Sequence, residues 1–162
     1  MSYETLKTRL NGCQLPAWEM IPDLGLYMDQ ILTYTERILP EFGTLTASMV
    51  NNYVKSGLVD RPVGKKYNRA AIAQLLMICA LKATITQDQI YDLLHKTNES
   101  STEKTYQIFR QRQEDALKKI EETQDWTPLS CAMESACLAY FFRMMVSEQS
   151  SQGASESPTV SS

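Results

Sequence analysis

The fold of this chain is decided by the stretch TASMVNNYVKSGLVDRPVGKKYNR, which runs from Thr46 to Arg69. Thr46 predicts the start of a helix, because its hydroxyl can accept a hydrogen bond from a free N–H group of the first turn. Apolar side chains then recur at helical spacing and predict one buried face: Met49, Val50 and Tyr53. Gly57 follows in the position where a left-handed residue usually ends a helix. The first half of the stretch therefore predicts a short amphipathic helix.

The second half of the stretch predicts a tight bend with cations at its tip. Arg61-Pro62 leads through Val63 into Gly64-Lys65-Lys66-Tyr67, so that a proline and a glycine flank the bend. Asn68 then predicts the cap of another helix. The cationic side chains of the stretch, which Asp60 alone opposes, are Lys55, Arg61, Lys65, Lys66 and Arg69.

The placement of this positive charge bears on function, because the whole chain carries a formal net charge of −3. An acidic protein that concentrates its cations in one polar helix–loop unit has the electrostatic pattern of a protein that binds a phosphate backbone. A solvated surface turn with ordinary lysines has the same composition. Charge alone does not separate these two interpretations, whereas the order of the features favours the first.

That order resembles the winged helix-turn-helix of MerR-type regulators. In that family a recognition helix ends in a tyrosine-rich turn and a Gly-Leu pair, and a basic wing with an aromatic residue leads into the next helix. The resemblance covers Leu24 to Leu94. Two further motifs, LYMDQ at Leu26–Gln30 and NNYVK at Asn51–Lys55, resemble a family of uncharacterised bacterial proteins of unknown function that carry this unit.

The resemblance implies an all-α protein in which a MerR-like winged helix-turn-helix with a small basic β-wing precedes a C-terminal helical hairpin. The positioning helix would be Leu26–Leu39, and Pro40–Gly43 would form a turn longer than is usual in that family. Thr46–Lys55 would enter the major groove of DNA. Ser48, Asn51 and Asn52 are the candidates for base or phosphate contact, and asparagine can bond adenine through two atoms. The full set predicted to bind DNA is Thr46, Ser48, Asn51, Asn52, Lys55, Arg61, Lys65, Lys66, Tyr67 and Arg69.

Geometry limits what these side chains can do together. Asn51 and Asn52 are neighbours and lie about 100° apart on a helix, so at most one should point straight at the bases. Tyr53 is expected to be a core residue, or to reach a phosphate through its hydroxyl. The cations expected to hold phosphates are Lys55, Lys65, Lys66 and Arg69, with Lys65-Lys66 at the wing tip.

Apolar periodicity and composition organise the remainder of the chain. We expect residues 1–23 to form a lead packed on the core, residues 24–96 to form the DNA-binding domain, and residues 97–146 to form the hairpin after a polar linker at 97–102. Residues 147–162 are serine-rich and predict a disordered tail. The predicted helices span 26–39, 44–54, 70–82, 86–96, 103–122 and 129–146, and the most apolar is 70–82.

The motifs of the common enzyme classes are missing from the sequence. It contains no P-loop, GxGxxG, GxSxG, HExxH or CxxC motif, and His95 is its one histidine. We therefore expect no catalytic site, no cofactor and no metal. The four cysteines predict reduced thiols, and no apolar run is long enough for a membrane span. These features indicate a cytoplasmic protein without enzymatic activity.

The sequence thus predicts a transcriptional regulator that binds double-stranded DNA, most simply as a homodimer paired through residues 103–146. An alternative is that the hairpin holds a small apolar effector, lined by Trp126, Tyr140, Phe141 and methionines. A rival from another class is a helical adaptor, which would bind a protein through its C-terminal helices and use the helix-turn-helix only as a scaffold. Exposure of Asn51 or Asn52 would favour DNA, and their burial under the hairpin would favour the adaptor.

Overall fold

The computed structural model describes residues 8–10, 12–95, 101–122, 133, 135–139, 141 and 144–145. Within these residues the protein is all-α, as the sequence predicted, with short 3-10 turns at Trp18–Met20 and Pro40–Phe42. The helices are α1 (Met28–Ile38), α2 (Ala47–Lys55), α3 (Arg69–Leu81), α4 (Gln87–His95) and α5 (Thr102–Glu122). Each begins and ends within three residues of its predicted boundary.

Side chains cap the starts of α2, α3 and α4, and the caps of α2 and α3 are the residues that the sequence indicated. The Thr46 hydroxyl accepts a hydrogen bond of 3.2 Å from the Met49 N–H at the start of α2. Asn68 Oδ1 accepts one of 2.9 Å from the Ala71 N–H at the start of α3. Before α4, Thr86 and Gln89 form a reciprocal capping box, in which each side chain accepts from the other residue's N–H.

The core is built around α3. Every residue from Ala71 to Cys79 is buried, which agrees with a helix that is apolar nearly all round. Helices α1 and α5 both contact α3, and α1 also contacts α2. The N-terminal lead is part of this core, because Leu15 and Ile21 are only 2% and 1% exposed.

Helix α5 packs on the same core, whereas we had assigned it to a separate hairpin beyond a linker. Tyr106 is fully buried and belongs to the core cluster. The polar Gln113 interrupts the apolar stripe of α5 and makes two hydrogen bonds to the backbone of the lead. Its Nε2 donates to Cys13 O and its Oε1 accepts from the Leu15 N–H, and each bond is 3.0 Å long. The first part of the stripe, with Tyr106 and Phe109, therefore packs on this core, and the predicted boundary at residue 97 does not divide two cores.

The predicted β-wing is present only as a turn, because no β-strand forms within the described ranges. Val63 and Lys66 exchange two backbone hydrogen bonds of 2.9 and 3.0 Å around Gly64-Lys65. One residue further on, Tyr67 makes an isolated antiparallel bridge to Leu26. A longer ladder is prevented by Pro62, which has no N–H to donate, and by the start of α3 at Arg69.

The predicted second helix of the hairpin is described only in part. Residues 133, 135–139, 141 and 144–145 are helical, and their exposed apolar side chains include Met133, Leu138 and Met144. Residues 96–100, which include most of the predicted linker, residues 123–132 and the serine-rich tail at 147–162 lie outside the described residues. Within the described part of the chain, no helix is both long and apolar enough to span a bilayer.

Candidate nucleic-acid interface

Helix α2 is fixed to the core by its apolar face and by its C-terminal cap. Val50 is fully buried and Tyr53 is 8% exposed. The chain then reverses at Gly57, whose φ of 78° places it in the left-handed region. The Leu58 N–H donates to Tyr53 O at 2.9 Å, and the Gly57 N–H donates to Val54 O at 3.2 Å. These two bonds form the pattern of a Schellman motif. The buried face and the C-terminal cap together fix the rotation of α2 about its own axis.

This rotation presents a polar stripe to solvent. Ser48, Asn51, Asn52 and Lys55 are all exposed, and their spacing of three, four and seven residues places them on one side of the helix. Both asparagines lie on this stripe. The Thr46 hydroxyl, by contrast, is already used in capping the helix. The exposed side chains of α2 can therefore donate and accept hydrogen bonds along a surface about two turns long.

The turn at Gly64-Lys65 presents the cations of the second half of the stretch. Gly64 and Lys65 have φ values of 57° and 65°, so both residues adopt the left-handed conformation of a type I′ turn. Arg61, Lys65 and Lys66 are exposed. Among the described residues, neither Lys55 nor Arg61 nor Lys65 forms an ion pair with a carboxylate. Their charges therefore remain available to an external anion.

Lys66 has an aromatic neighbour that sequence reasoning missed. Its Nζ lies 5.1 Å from the centroid of the Tyr27 ring, in the geometry of a cation–π contact. Tyr27 precedes α1, so it is far from the turn in the sequence, and it is brought near by the bridge between Leu26 and Tyr67. Only the pairing of Leu26 with Tyr67 creates this contact, and no sequence spacing indicates it.

Arg69 and Tyr67 are engaged inside the chain, although we had predicted that they contact DNA. Arg69 Nε donates to Ile21 O over 3.0 Å, and its guanidinium lies 3.7 Å from the Asp23 carboxylate and 5.9 Å from the Trp18 ring. Tyr67 is 4% exposed, and burial raises the pKa of its hydroxyl. The contacts of Arg69 hold the start of α3 against the lead, and the ring of Tyr67 belongs to the core.

The arrangement defines an all-α protein with one small amphipathic helix, α2, whose polar side and following cationic turn are open to solvent. Residues 16–119 match the family described as "Domain of unknown function (DUF1836)". The chain belongs to this family, in agreement with the expectation of an uncharacterised family of unknown function. The matched region ends inside α5, which agrees with the packing of α5 on the core. No curated protein and no solved structure matches this chain.

Proposed function

We propose that this protein is a transcriptional regulator that binds double-stranded DNA through α2 and the turn at Gly64-Lys65. The observation that carries the proposal is the polar stripe of α2, in which Ser48, Asn51, Asn52 and Lys55 share one exposed side of an anchored helix. A helix of this diameter fits the major groove, where asparagine can distinguish adenine from the other bases. On this proposal α2 is the recognition helix of a MerR-like helix-turn-helix and α1 is its positioning helix.

The cations divide into contacts with DNA and contacts within the chain. Lys55, Arg61, Lys65 and Lys66 are exposed and contact phosphates, with Lys65-Lys66 acting as the tip of a minimal wing. Each phosphate contact raises affinity without specifying sequence. Arg69 contributes indirectly, because its bonds to the lead fix the direction of the turn.

Binding by one copy of so small a unit would be weak, and a pair of copies at a fixed spacing would bind far more tightly. The first part of the apolar stripe of α5, with Tyr106 and Phe109, packs on the core of the chain. The surface that supports a homodimer is instead the exposed apolar side of the described helical residues between 133 and 145, which includes Met133, Leu138 and Met144. Pairing of two copies through this surface completes the proposal.

The first test is binding to random-sequence duplex DNA, followed by fluorescence anisotropy over a series of salt concentrations. The variant Lys65→Gln/Lys66→Gln removes both charges at the tip and keeps the aliphatic carbons that cover Tyr27. Wild-type affinity should fall steeply with salt, and the slope of log K against log salt should be shallower by about 2 units in the variant.

The matched control is Lys104→Gln/Lys118→Gln, which removes two exposed charges from α5. Its net charge therefore equals that of the test variant. Its salt slope should equal that of the wild type. Absence of binding at low salt by the folded protein, or an equal loss of slope in both variants, would contradict DNA binding through the turn. The exposed methionines between 133 and 145 would then favour the adaptor, and a protein partner should be sought for that surface.

A further inference from the structure

Residues 25–27, which precede α1, run beside the cationic turn and lie outside the stretch that was predicted to bind DNA. Leu26 and Tyr67 exchange two backbone hydrogen bonds of 2.9 Å, in which each N–H donates to the other residue's carbonyl oxygen. In an extended segment, the side chains on either side of a residue point to the same face. Gly25 and Tyr27 therefore share one face, and the neighbour of Tyr67 that lies against this face is Lys66.

Gly25 meets the root of the Lys66 side chain. A Cβ atom at position 25 would lie 3.2 Å from Lys66 Cβ and 3.4 Å from Tyr67 O. The φ of Gly25 is 69°, in the left-handed region that glycine adopts without strain. Both the space and the conformation favour glycine at this position, and the missing side chain lets Lys66 approach the backbone closely.

Tyr27 meets the other end of the same side chain. Lys66 Nζ lies 5.1 Å from the centroid of the Tyr27 ring, which is 45% exposed. An aromatic ring orients a cation without neutralising it, because the ring has a quadrupole and no net charge. A carboxylate would instead offset the charge, as Asp23 does beside Arg69. The contact with Tyr27 therefore restricts Lys66 and leaves its full charge available to an anion.

The two lysines of the turn differ in this respect. Lys65 is exposed at the tip, and the described residues give it neither an ion pair nor an aromatic neighbour. A free lysine loses rotamer freedom when it binds a phosphate, whereas a lysine that is already restricted loses less. Lys66 should therefore bind a phosphate at a lower entropic cost than Lys65.

We propose that Lys66 is a pre-organised ligand for one phosphate of the DNA backbone, and that Gly25 and Tyr27 are its positioning residues. This role rests on the proposed function, and it extends the DNA interface to the residues before α1. Tyr27 acts through its ring, which orients the ammonium group, and not through its hydroxyl. Lys65 binds its phosphate without such support.

The test is the affinity of the full chain for random-sequence duplex DNA, measured by anisotropy at several salt concentrations. Tyr27→Leu removes the ring and no charge, so affinity should fall about three-fold while the salt slope stays that of the wild type. Tyr27→Phe keeps the ring and should bind as tightly as the wild type. The matched control is Tyr91→Leu, which removes a 41% exposed ring from α4 and should leave the affinity unchanged.

A double-mutant cycle separates positioning from a general effect on the fold. Tyr27→Leu should weaken binding about three-fold in the Lys65→Gln background and have no effect in the Lys66→Gln background, because the ring acts only through Lys66. An equal loss in both backgrounds would overturn the proposal, as would wild-type affinity of Tyr27→Leu or weakened binding by Tyr27→Phe. Each of these outcomes leaves DNA binding through the turn intact.

The contact itself can be measured without DNA. The ring current of Tyr27 should shift the NMR signals of the Lys66 Cε protons upfield in the free protein, and Tyr27→Leu should abolish this shift. Absence of the shift in the wild type overturns the positioning role whether or not DNA binds. A normal shift without any DNA binding overturns the proposed function, and the role of the contact in binding phosphate falls with it.

Discussion

The hydroxyl of Tyr106 donates a hydrogen bond of 2.8 Å to the carbonyl oxygen of Pro16, a residue that precedes it by 90 positions. The Tyr106 ring lies 5.9 Å from the ring of Trp18 and is fully buried. This contact joins α5 to the N-terminal lead, and the lead in turn holds the turn at Gly64-Lys65 through Ile21 and Arg69. The position of the proposed wing therefore depends on a helix that the sequence had assigned to another domain.

Tyr106→Phe tests this link between α5 and the lead. The variant leaves the partly buried Pro16 carbonyl oxygen without its donor, so the free energy of unfolding should fall by about 1 kcal/mol. Urea unfolding measures the change. Tyr91→Phe is the control, since Tyr91 is 41% exposed and its loss of a hydroxyl should change little. Equal stability of both variants would show that the bond to Pro16 contributes nothing.

Tyr34→Phe should have the opposite effect. Among the described residues, the Tyr34 hydroxyl is the buried side-chain polar group that has no hydrogen-bond partner. An unsatisfied buried hydroxyl costs about 1–3 kcal/mol, so its removal should raise the free energy of unfolding by about 1 kcal/mol. The same urea experiment applies. A decrease in stability would mean that the hydroxyl has a partner in solution.

Stability should also fall at alkaline pH. Burial raises the pKa of the Cys79 thiol and of the Tyr53, Tyr67 and Tyr106 hydroxyls. Each group holds its proton more tightly in the folded chain than in the unfolded chain. Its contribution to stability is therefore fully present below its pKa in the unfolded chain, which is about 8.5 for cysteine and about 10 for tyrosine. This contribution is lost as the pH rises above that pKa. Tm measured from pH 7 to pH 11 should decline from about pH 9 onward. A flat profile would contradict the burial of these groups.

Lys65→Gly should separate stability from the proposed DNA binding. Lys65 has a φ of 65°, and a non-glycine residue in this conformation costs about 1 kcal/mol. Glycine relieves the strain, so the free energy of unfolding should rise by about 0.5–1 kcal/mol. The loss of one charge should reduce the salt slope of DNA binding by about 1 unit.

Lys65→Ala is the matched control for this variant, because it removes the charge and keeps a side chain in the strained conformation. It should lose the same salt slope without gaining stability. If Lys65→Gly binds DNA as the wild type does, the tip of the turn does not contact phosphates.

Sequence selectivity should depend on the asparagines of α2. Once a preferred duplex has been selected from a random pool, Asn51→Ala and Asn52→Ala can be compared on it by anisotropy. Replacing the asparagine that contacts a base should weaken specific binding by about 1–3 kcal/mol and leave the salt slope nearly unchanged. Gln111→Ala, which removes an exposed amide from α5, is the control. Unchanged preference in both asparagine variants would exclude α2 as the recognition helix.

Helix positions and caps could be predicted from the sequence because their causes are local. A hydroxyl or amide accepts from an N–H only three residues away at Thr46 and Asn68, and Gly57 reverses the chain through its own φ. The exposed stripe of α2 was predictable for the same reason, since Val50 and Tyr53 determine by spacing which side faces outward. Its polar residues were therefore found before the fold was known.

Contacts between distant segments could be decided only by the tertiary structure. Amphipathicity showed that α5 must bury one side, but it gave no partner, and the sequence was equally compatible with pairing to a second copy. The structure places that side against α3 and the lead, where Gln113 and Tyr106 meet backbone groups that no periodicity reveals. Likewise, a cation looks alike in sequence whether it faces solvent, as Lys65 does, or bonds a carbonyl, as Arg69 does. The sequence by itself determined the helices and their polar sides because those depend on neighbours along the chain. The tertiary structure decided which charges remain available, because that depends on neighbours in space.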